Sequence, residues 1–167
     1  PEQVWEYPIP DILEDYRWEN CDKEVEALKK RDYVVVSGGV NIDIFEPAWY
    51  LRGMENLLTD FYIHPDIAVA CLDRLVAVKE KIAKRFAEIG VDVIIYGDDV
   101  GDEKSLLLNP AMWKEWLKPR LKRMIEAAKT ANPDVLGYYH SDGNIETIIP
   151  DLIEVGVDIL NPVQPES

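Results

Sequence analysis

The sequence predicts an α/β fold in which parallel strands alternate with crossover helices. Four short apolar runs favour strands at 33–36, 92–96, 135–139 and 157–160, and helical patterns separate them. Because crossovers between parallel strands are right-handed, this order gives a parallel sheet. Two architectures have this order of elements: an open doubly wound sheet and part of a (β/α)8 barrel. The spacing of Ser37-Gly38-Gly39-Val40 does not match the glycine-rich phosphate loop of a nucleotide-binding sheet, which favours the barrel.

The chain begins with a segment that lacks a clear period. Residues 1–32 are rich in Pro and aromatic side chains, so we expect an irregular or helical lead-in with a short helix over 22–30. Tyr33-Val34-Val35-Val36 is continuously apolar, which is typical of a strand covered on both faces. The range 33–167 is predicted to hold the four strands and their helices, in a single domain over 1–167.

Pro, Gly and Asn mark the ends of the predicted helices. Helical pieces cover 45–60 with a break at Gly53, and the longest helix opens at His64-Pro65, where His64 has a structural role. A glycine just after a helix and a proline in its first turn are the usual end signals. By these signals the other boundaries fall at Gly90, Asn109-Pro110, Pro119, Asn132-Pro133, Pro150 and Gly156.

The composition argues against several classes of protein. Of the 167 residues, 47% are hydrophobic and 30% charged, the balance of an ordinary globular chain. A net charge of −14 argues against nucleic acid or an anionic membrane as partner, because an excess of Lys and Arg binds phosphates. No apolar run has the length of a membrane span. Cys21 and Cys71 have no His or Cys nearby, as expected for reduced thiols of a cytoplasmic protein.

Three of the four predicted strands run directly into polar residues. The carboxyl ends of parallel strands share one edge of the sheet, and ligands bind at that edge in α/β folds. We therefore expect the side chains that follow these strands to build one site. They are Asp98 and Asp99, His140 and Asp142, and Asn161 and Gln164.

The ionisable side chains each have a chemical and a structural interpretation. His140 can transfer a proton or bind a metal, or it can be a hydrogen-bonded histidine of the core. Asp142, two residues further in an extended chain, can share that metal. Asp142 can equally cap the helix that follows. Asp98 and Asp99 can take part in catalysis or simply form an ordinary turn. Because they are adjacent, their side chains should point in different directions.

Neutral and aromatic residues complete the predicted site. Asn161 and Gln164 can orient a substrate but cannot do acid-base chemistry. Tyr96, Tyr138 and Tyr139 either line the pocket or fill the barrel, and Ser37 closes the first strand. The residues that we expect to contact a small-molecule substrate are Asn161, Gln164, Tyr96, Tyr139 and Ser37.

Four motifs occur in order along the chain: Tyr-Gly-Asp-Asp-Val-Gly at 96–101, Leu-Asn-Pro-Ala-Met-Trp-Lys-Glu-Trp-Leu-Lys-Pro at 108–119, Tyr-His-Ser-Asp-Gly at 139–143 and Gly-Val-Asp-Ile-Leu-Asn-Pro-Val-Gln-Pro at 156–165. Together they resemble the uroporphyrinogen decarboxylase superfamily, over about 33–165. The resemblance implies a TIM (β/α)8 barrel of which this chain holds about the middle half, since a whole barrel usually takes ~250 residues. An incomplete barrel has unpaired strand edges, so we expect a homo-oligomer.

The resemblance implies one of two activities. One branch decarboxylates the acetate arms of uroporphyrinogen without a cofactor, and the other transfers methyl groups between a corrinoid protein and a small substrate, often with zinc. The segments 140–143 and 161–164 are more similar to the methyltransferase branch. Zinc-dependent members carry His-x-Cys, whereas Asp142 stands in place of that thiol here. A metal would therefore be held by nitrogen and oxygen, through His140 and Asp142.

Three hypotheses for function follow. The leading one is methyl transfer, in which His140, Asp98 and Asp99 are catalytic and Asn161 and Gln164 orient the substrate. The second is tetrapyrrole decarboxylation, in which a carboxylate such as Asp98 stabilises positive charge on a pyrrole. The third is a truncated domain that binds a ligand or a partner without catalysis.

Overall fold

Three parallel strands, β1 (Val93–Gly97), β2 (Leu136–His140) and β3 (Ile159–Asn161), form one sheet in that order. The computed structural model describes residues 1–38 and 42–164. Helices connect the strands, so the predicted parallel α/β fold is confirmed. The described helices are α1 Glu2–Glu6, α2 Asp15–Trp18, α3 Cys21–Lys29, α4 Phe45–Arg52, α5 Met54–Ile63, α6 Pro65–Glu88, α7 Pro110–Trp116, α8 Lys118–Ala131 and α9 Ile149–Val155, the last after a 3₁₀ turn at Glu146–Ile148.

The register brings the carboxyl ends of the three strands to one edge. Gly97 pairs with His140, and His140 pairs with Asn161. Tyr138 lies two residues before His140, so both side chains project from the same face of the sheet. The strand-end residues therefore meet at a single place, as the sequence predicts.

The opposite face of the sheet lies against the helices and forms the core. Ile94, Tyr96 and Tyr139 on this face are at most 3% exposed. α6 packs along α8, and residues of both helices belong to the same cluster. In the described part of the chain, no helix is both long and apolar enough to cross a bilayer. Other members of the core are Phe45, Leu72, Ile82, Trp113, Met124, Ile125 and Ile148.

The prediction of a regular first strand is wrong. Val36 forms an isolated parallel bridge with Val93, and the Val35 carbonyl accepts the Asp92 and Val93 amides. The Val35 amide, however, donates to the Asp92 carboxylate at 2.8 Å, so a side chain takes the place of a strand partner. Val34 is 72% exposed and Val36 is 45% exposed, and the segment is therefore not covered on both faces.

Most of the predicted helix boundaries are confirmed. Gly53 separates α4 from α5, and Asn109 caps α7 by accepting the amide two residues on at 2.8 Å. Pro119 lies in the first turn of α8 and divides it from α7. Gly156 follows α9 with a φ of 100°, a left-handed conformation that favours glycine. The lead-in holds three short helices, of which α3 agrees with the predicted helix within one residue.

Candidate functional site

Three ionisable side chains converge where β1 and β2 end. His140 is the last residue of β2, Asp142 lies two residues beyond it, and Asp99 follows β1. His140 Nε2 lies 3.8 Å from Asp99 Oδ1 and 3.9 Å from Asp142 Oδ1. Donor atoms from the three side chains all lie within 4.8 Å of one another. We call Asp99, His140 and Asp142 the strand-end cluster.

Asn161, at the end of β3, orients the His140 ring. Its Oδ1 lies 2.9 Å from His140 Nδ1. Because an amide oxygen only accepts, Nδ1 donates in this contact, and Nε2 faces the carboxylates of Asp99 and Asp142. Histidines that bind metals commonly have their other ring nitrogen held in this way.

Asp98 and Asp99 point in different directions, as expected for adjacent residues. Asp98 is 5% exposed, and its carboxylate accepts the backbone amides of Ile44, Phe45 and Glu46 at 2.7 to 3.0 Å. These amides begin α4, so Asp98 caps that helix from the end of β1. Burial raises the pKa of Asp98 well above its ordinary value, against the opposing effect of the three amide hydrogen bonds.

A cleft of about 230 Å³ opens beside His140. Asp43, on its rim, pairs with Lys79 at 2.9 Å, and both side chains are largely buried. Glu46 accepts a hydrogen bond from the Tyr50 hydroxyl at 2.8 Å. The cleft therefore combines an apolar floor with an acidic rim. Its lining is Asp43, Glu46, Ile95, Tyr96, Gly97, Asp98, Tyr138 and His140.

The other predicted substrate-binding residues are placed unevenly. Gln164 lies beside the strand-end cluster, where its Oε1 accepts the Gly143 amide at 2.7 Å. Tyr96 belongs to the cleft lining, but its side chain lies on the core face of the sheet and is only 1% exposed. Tyr139 lies on the core face of the sheet, and Ser37 is buried against β1. The structure therefore does not bring Tyr139 or Ser37 to the cluster.

Tyr138, one of the aromatic residues predicted to line the pocket or fill the barrel, borders the cleft on the same face of the sheet as His140. Asp43 and Glu46 also border the cleft and were missing from the sequence prediction. They lie just before and within the first turn of α4, which Asp98 holds beside the strand ends. No sequence pattern indicates that long-range contact.

Both cysteines are free and lie outside the strand-end cluster. Cys21 is the first residue of α3, and Cys71 lines a separate cavity between α1, α4 and α6. Burial raises the pKa of the Cys71 thiol. A metal in the strand-end cluster would have nitrogen and oxygen ligands from His140, Asp99 and Asp142 and no thiolate from Cys21 or Cys71.

Comparisons with known proteins identify a family and a similar fold for the chain. The family model described as uroporphyrinogen decarboxylase matches residues 7–162. No curated protein matches the chain. A solved methyltransferase from Methanosarcina mazei is similar in fold, with a TM-score of 0.71 at 20% sequence identity. The match covers 96% of this chain and 46% of that one, so the chain corresponds to about half of the longer protein and to part of its barrel. The chain belongs to the uroporphyrinogen decarboxylase family.

Proposed function

We propose that this chain carries the strand-end site of a methyltransferase-type enzyme that moves a methyl group between a small substrate and a corrinoid protein. The observation that carries the proposal is the convergence of Asp99, His140 and Asp142 beside a cleft at the carboxyl ends of parallel strands. The fold likeness to a methyltransferase supports this branch of the family over the other.

The strand-end cluster fits a divalent metal. An ion about 2.1 Å from two donors holds them no more than about 4.2 Å apart. The separations of 3.8 and 3.9 Å from His140 Nε2 already lie within that limit. The ligand atoms of Asp99 and Asp142 lie within 4.8 Å of each other, and both carboxylates are partly exposed, so either can rotate toward an ion. One imidazole and two carboxylates suit a borderline or hard ion better than a soft one.

Each residue has a defined part in this proposal. A bound ion would supply Lewis-acid activation of a substrate heteroatom. His140 and the two carboxylates hold that ion, and Asn161 fixes the His140 tautomer. Tyr138 forms part of the cleft wall against which the substrate packs. Asp98 acts by holding the start of α4, and with it Glu46, at the cleft.

Tetrapyrrole decarboxylation is the second candidate, and the charge of the site opposes it. The substrate of that reaction carries carboxylates, whereas the cleft and its surroundings present Glu46, Asp99 and Asp142. Like charges at a binding site disfavour a ligand. The acidic rim instead suits a neutral or cationic small substrate.

Metal and ligand binding by the purified chain test the proposal. His140→Gln is expected to weaken Zn²⁺ or Mn²⁺ binding more than about 100-fold in titration calorimetry, because it removes a ligand. His64→Gln is the matched control, since His64 is exposed at the start of α6 and should leave the affinity unchanged.

Absorbance titrations then separate the alternatives. The absorbance spectrum of methylcobalamin is expected to change when the chain is added. The spectrum of uroporphyrin is expected to stay the same, because the chain should not bind it. Binding of uroporphyrin alone would favour the decarboxylase. A chain that binds neither the metals nor either pigment would favour the non-catalytic hypothesis.

We further propose that the isolated chain self-associates. Val34 and Val36 are 72% and 45% exposed, and both lie beside β1, an edge strand of the sheet. Exposed apolar residues at a sheet edge favour pairing with another chain. Light scattering after gel filtration should report a mass of two or more chains. A monodisperse monomer at micromolar concentration would contradict this.

A further inference from the structure

Ser141 lies between two residues of the strand-end cluster, is 1% exposed, and joins the ends of all three strands. Its Oγ accepts the Val100 amide and donates to the Asp142 carbonyl, both at 3.1 Å. Its own amide donates to the Asn161 carbonyl at 3.1 Å. Since Val100 follows Asp99 in the chain, this one hydroxyl connects the backbone segments that carry both carboxylates.

The two loops that carry these carboxylates also touch directly. Asp99 Oδ1 accepts the Asp142 amide at 2.9 Å. A Cβ added to Gly143 would lie 2.5 Å from the carbonyl carbon of Gly101, so only glycine allows this approach. The loops therefore pack backbone to backbone, and Ser141 lies at the base of that contact.

We propose that Ser141 is a positioning residue that keeps Asp99 and Asp142 within reach of His140 Nε2. Val100 is 0% exposed, so water does not readily replace Ser141 Oγ as the acceptor of its amide. Without the hydroxyl, the Val100 amide must shift to find another acceptor, and Asp99 shifts with it. The inference rests on the proposed metal site for its effect on affinity, whereas the hydrogen bonds themselves exist without a metal.

Ser141→Ala and Ser141→Thr test this inference, with Ser37→Ala as the matched control. Ser37 is also buried, and its Oγ also accepts one backbone amide, that of Ile95 at 2.9 Å. Each alanine variant therefore leaves one backbone amide without its acceptor, and the two variants should lower the free energy of unfolding by similar amounts. In calorimetric titration with Zn²⁺ and Mn²⁺, Ser141→Ala should bind about 10–100-fold more weakly than wild type. Ser141→Thr keeps the hydroxyl and should restore most of the affinity, and Ser37→Ala should not change it.

Amide hydrogen exchange of the metal-free chain gives a second readout. Ser141→Ala should remove protection from the Val100 and Asp142 amides, whereas Ser37→Ala should remove it only from Ile95. Equal metal affinity in Ser141→Ala and Ser37→Ala would overturn the inference, as would an unchanged Asp142 amide. If the wild-type chain binds neither ion, the metal part of the proposed function fails. The exchange rates of the Val100 and Asp142 amides in Ser141→Ala then still test whether Ser141 holds Asp99 in place.

Discussion

Replacing Asp98 with Ala is expected to lower the free energy of unfolding by roughly 3 kcal/mol or more. The carboxylate is 5% exposed and accepts the amides of Ile44, Phe45 and Glu46. Its removal leaves the start of α4 with unpaired donors, and each buried unpaired donor costs about 1–3 kcal/mol. Urea denaturation followed by circular dichroism measures the loss.

Asp102→Ala is the matched control for Asp98→Ala. The Asp102 carboxylate also accepts backbone amides, those of Lys104 and Ser105 at 2.7 and 2.8 Å, but it is exposed. Water can replace it there, so the expected loss is below about 1 kcal/mol. Equal losses in the two variants would show that burial does not account for the effect of Asp98.

The raised pKa of Asp98 also gives the stability a specific pH dependence. Between the ordinary value of 3.8 and the raised folded value, the folded state binds more protons than the unfolded state. This contribution therefore stabilises the fold at low pH and is lost as the pH rises through that window. Asp98→Asn does not titrate, so the advantage of wild type over this variant should be larger at pH 5 than at pH 8. A difference that stays constant would contradict the raised pKa.

Gly143→Ala is expected to destabilise the chain by roughly 3 kcal/mol and to disrupt the strand-end cluster. Gly143 has a φ of 81°, which costs an L-residue about 1–2 kcal/mol. The added Cβ would also lie 2.5 Å from the carbonyl carbon of Gly101 and 2.7 Å from the Asp102 carbonyl oxygen. Forcing such overlap into packed backbone costs about a further 1–3 kcal/mol. Urea denaturation and Zn²⁺ titration should both report the change.

Gly38→Ala separates this effect from the general effect of losing a glycine. A Cβ at Gly38 would meet no heavy atom within 4 Å, so the change in stability should stay within about 0.5 kcal/mol. If Gly143→Ala is equally mild, the two loops must be able to move apart. The backbone contact would then not position Asp142.

The sequence by itself determined the order of the three strands and their helices, most of the helix boundaries, and the edge of the sheet that holds the site. These features depend on local signals. Asn109 and Pro119 mark helix ends because of their own backbone chemistry. His140 and Asn161 are the last residues of their strands, where each short apolar or aromatic run gives way to polar residues. The family motifs were equally visible, because each is a short continuous segment.

Only the tertiary structure decided which side chains face the cleft. Asp98 and Asp99 are equivalent in sequence, but Asp98 turns to the amides of α4, a contact with residues more than fifty positions away in the chain. Tyr139 faces the core because α-helices cover that side of the sheet, and the neighbouring Tyr138 faces the cleft. A strand's period of two separates its faces but does not tell which one is covered. Local sequence therefore determines where each strand ends, whereas the direction in which each side chain points depends on the elements that pack against the sheet.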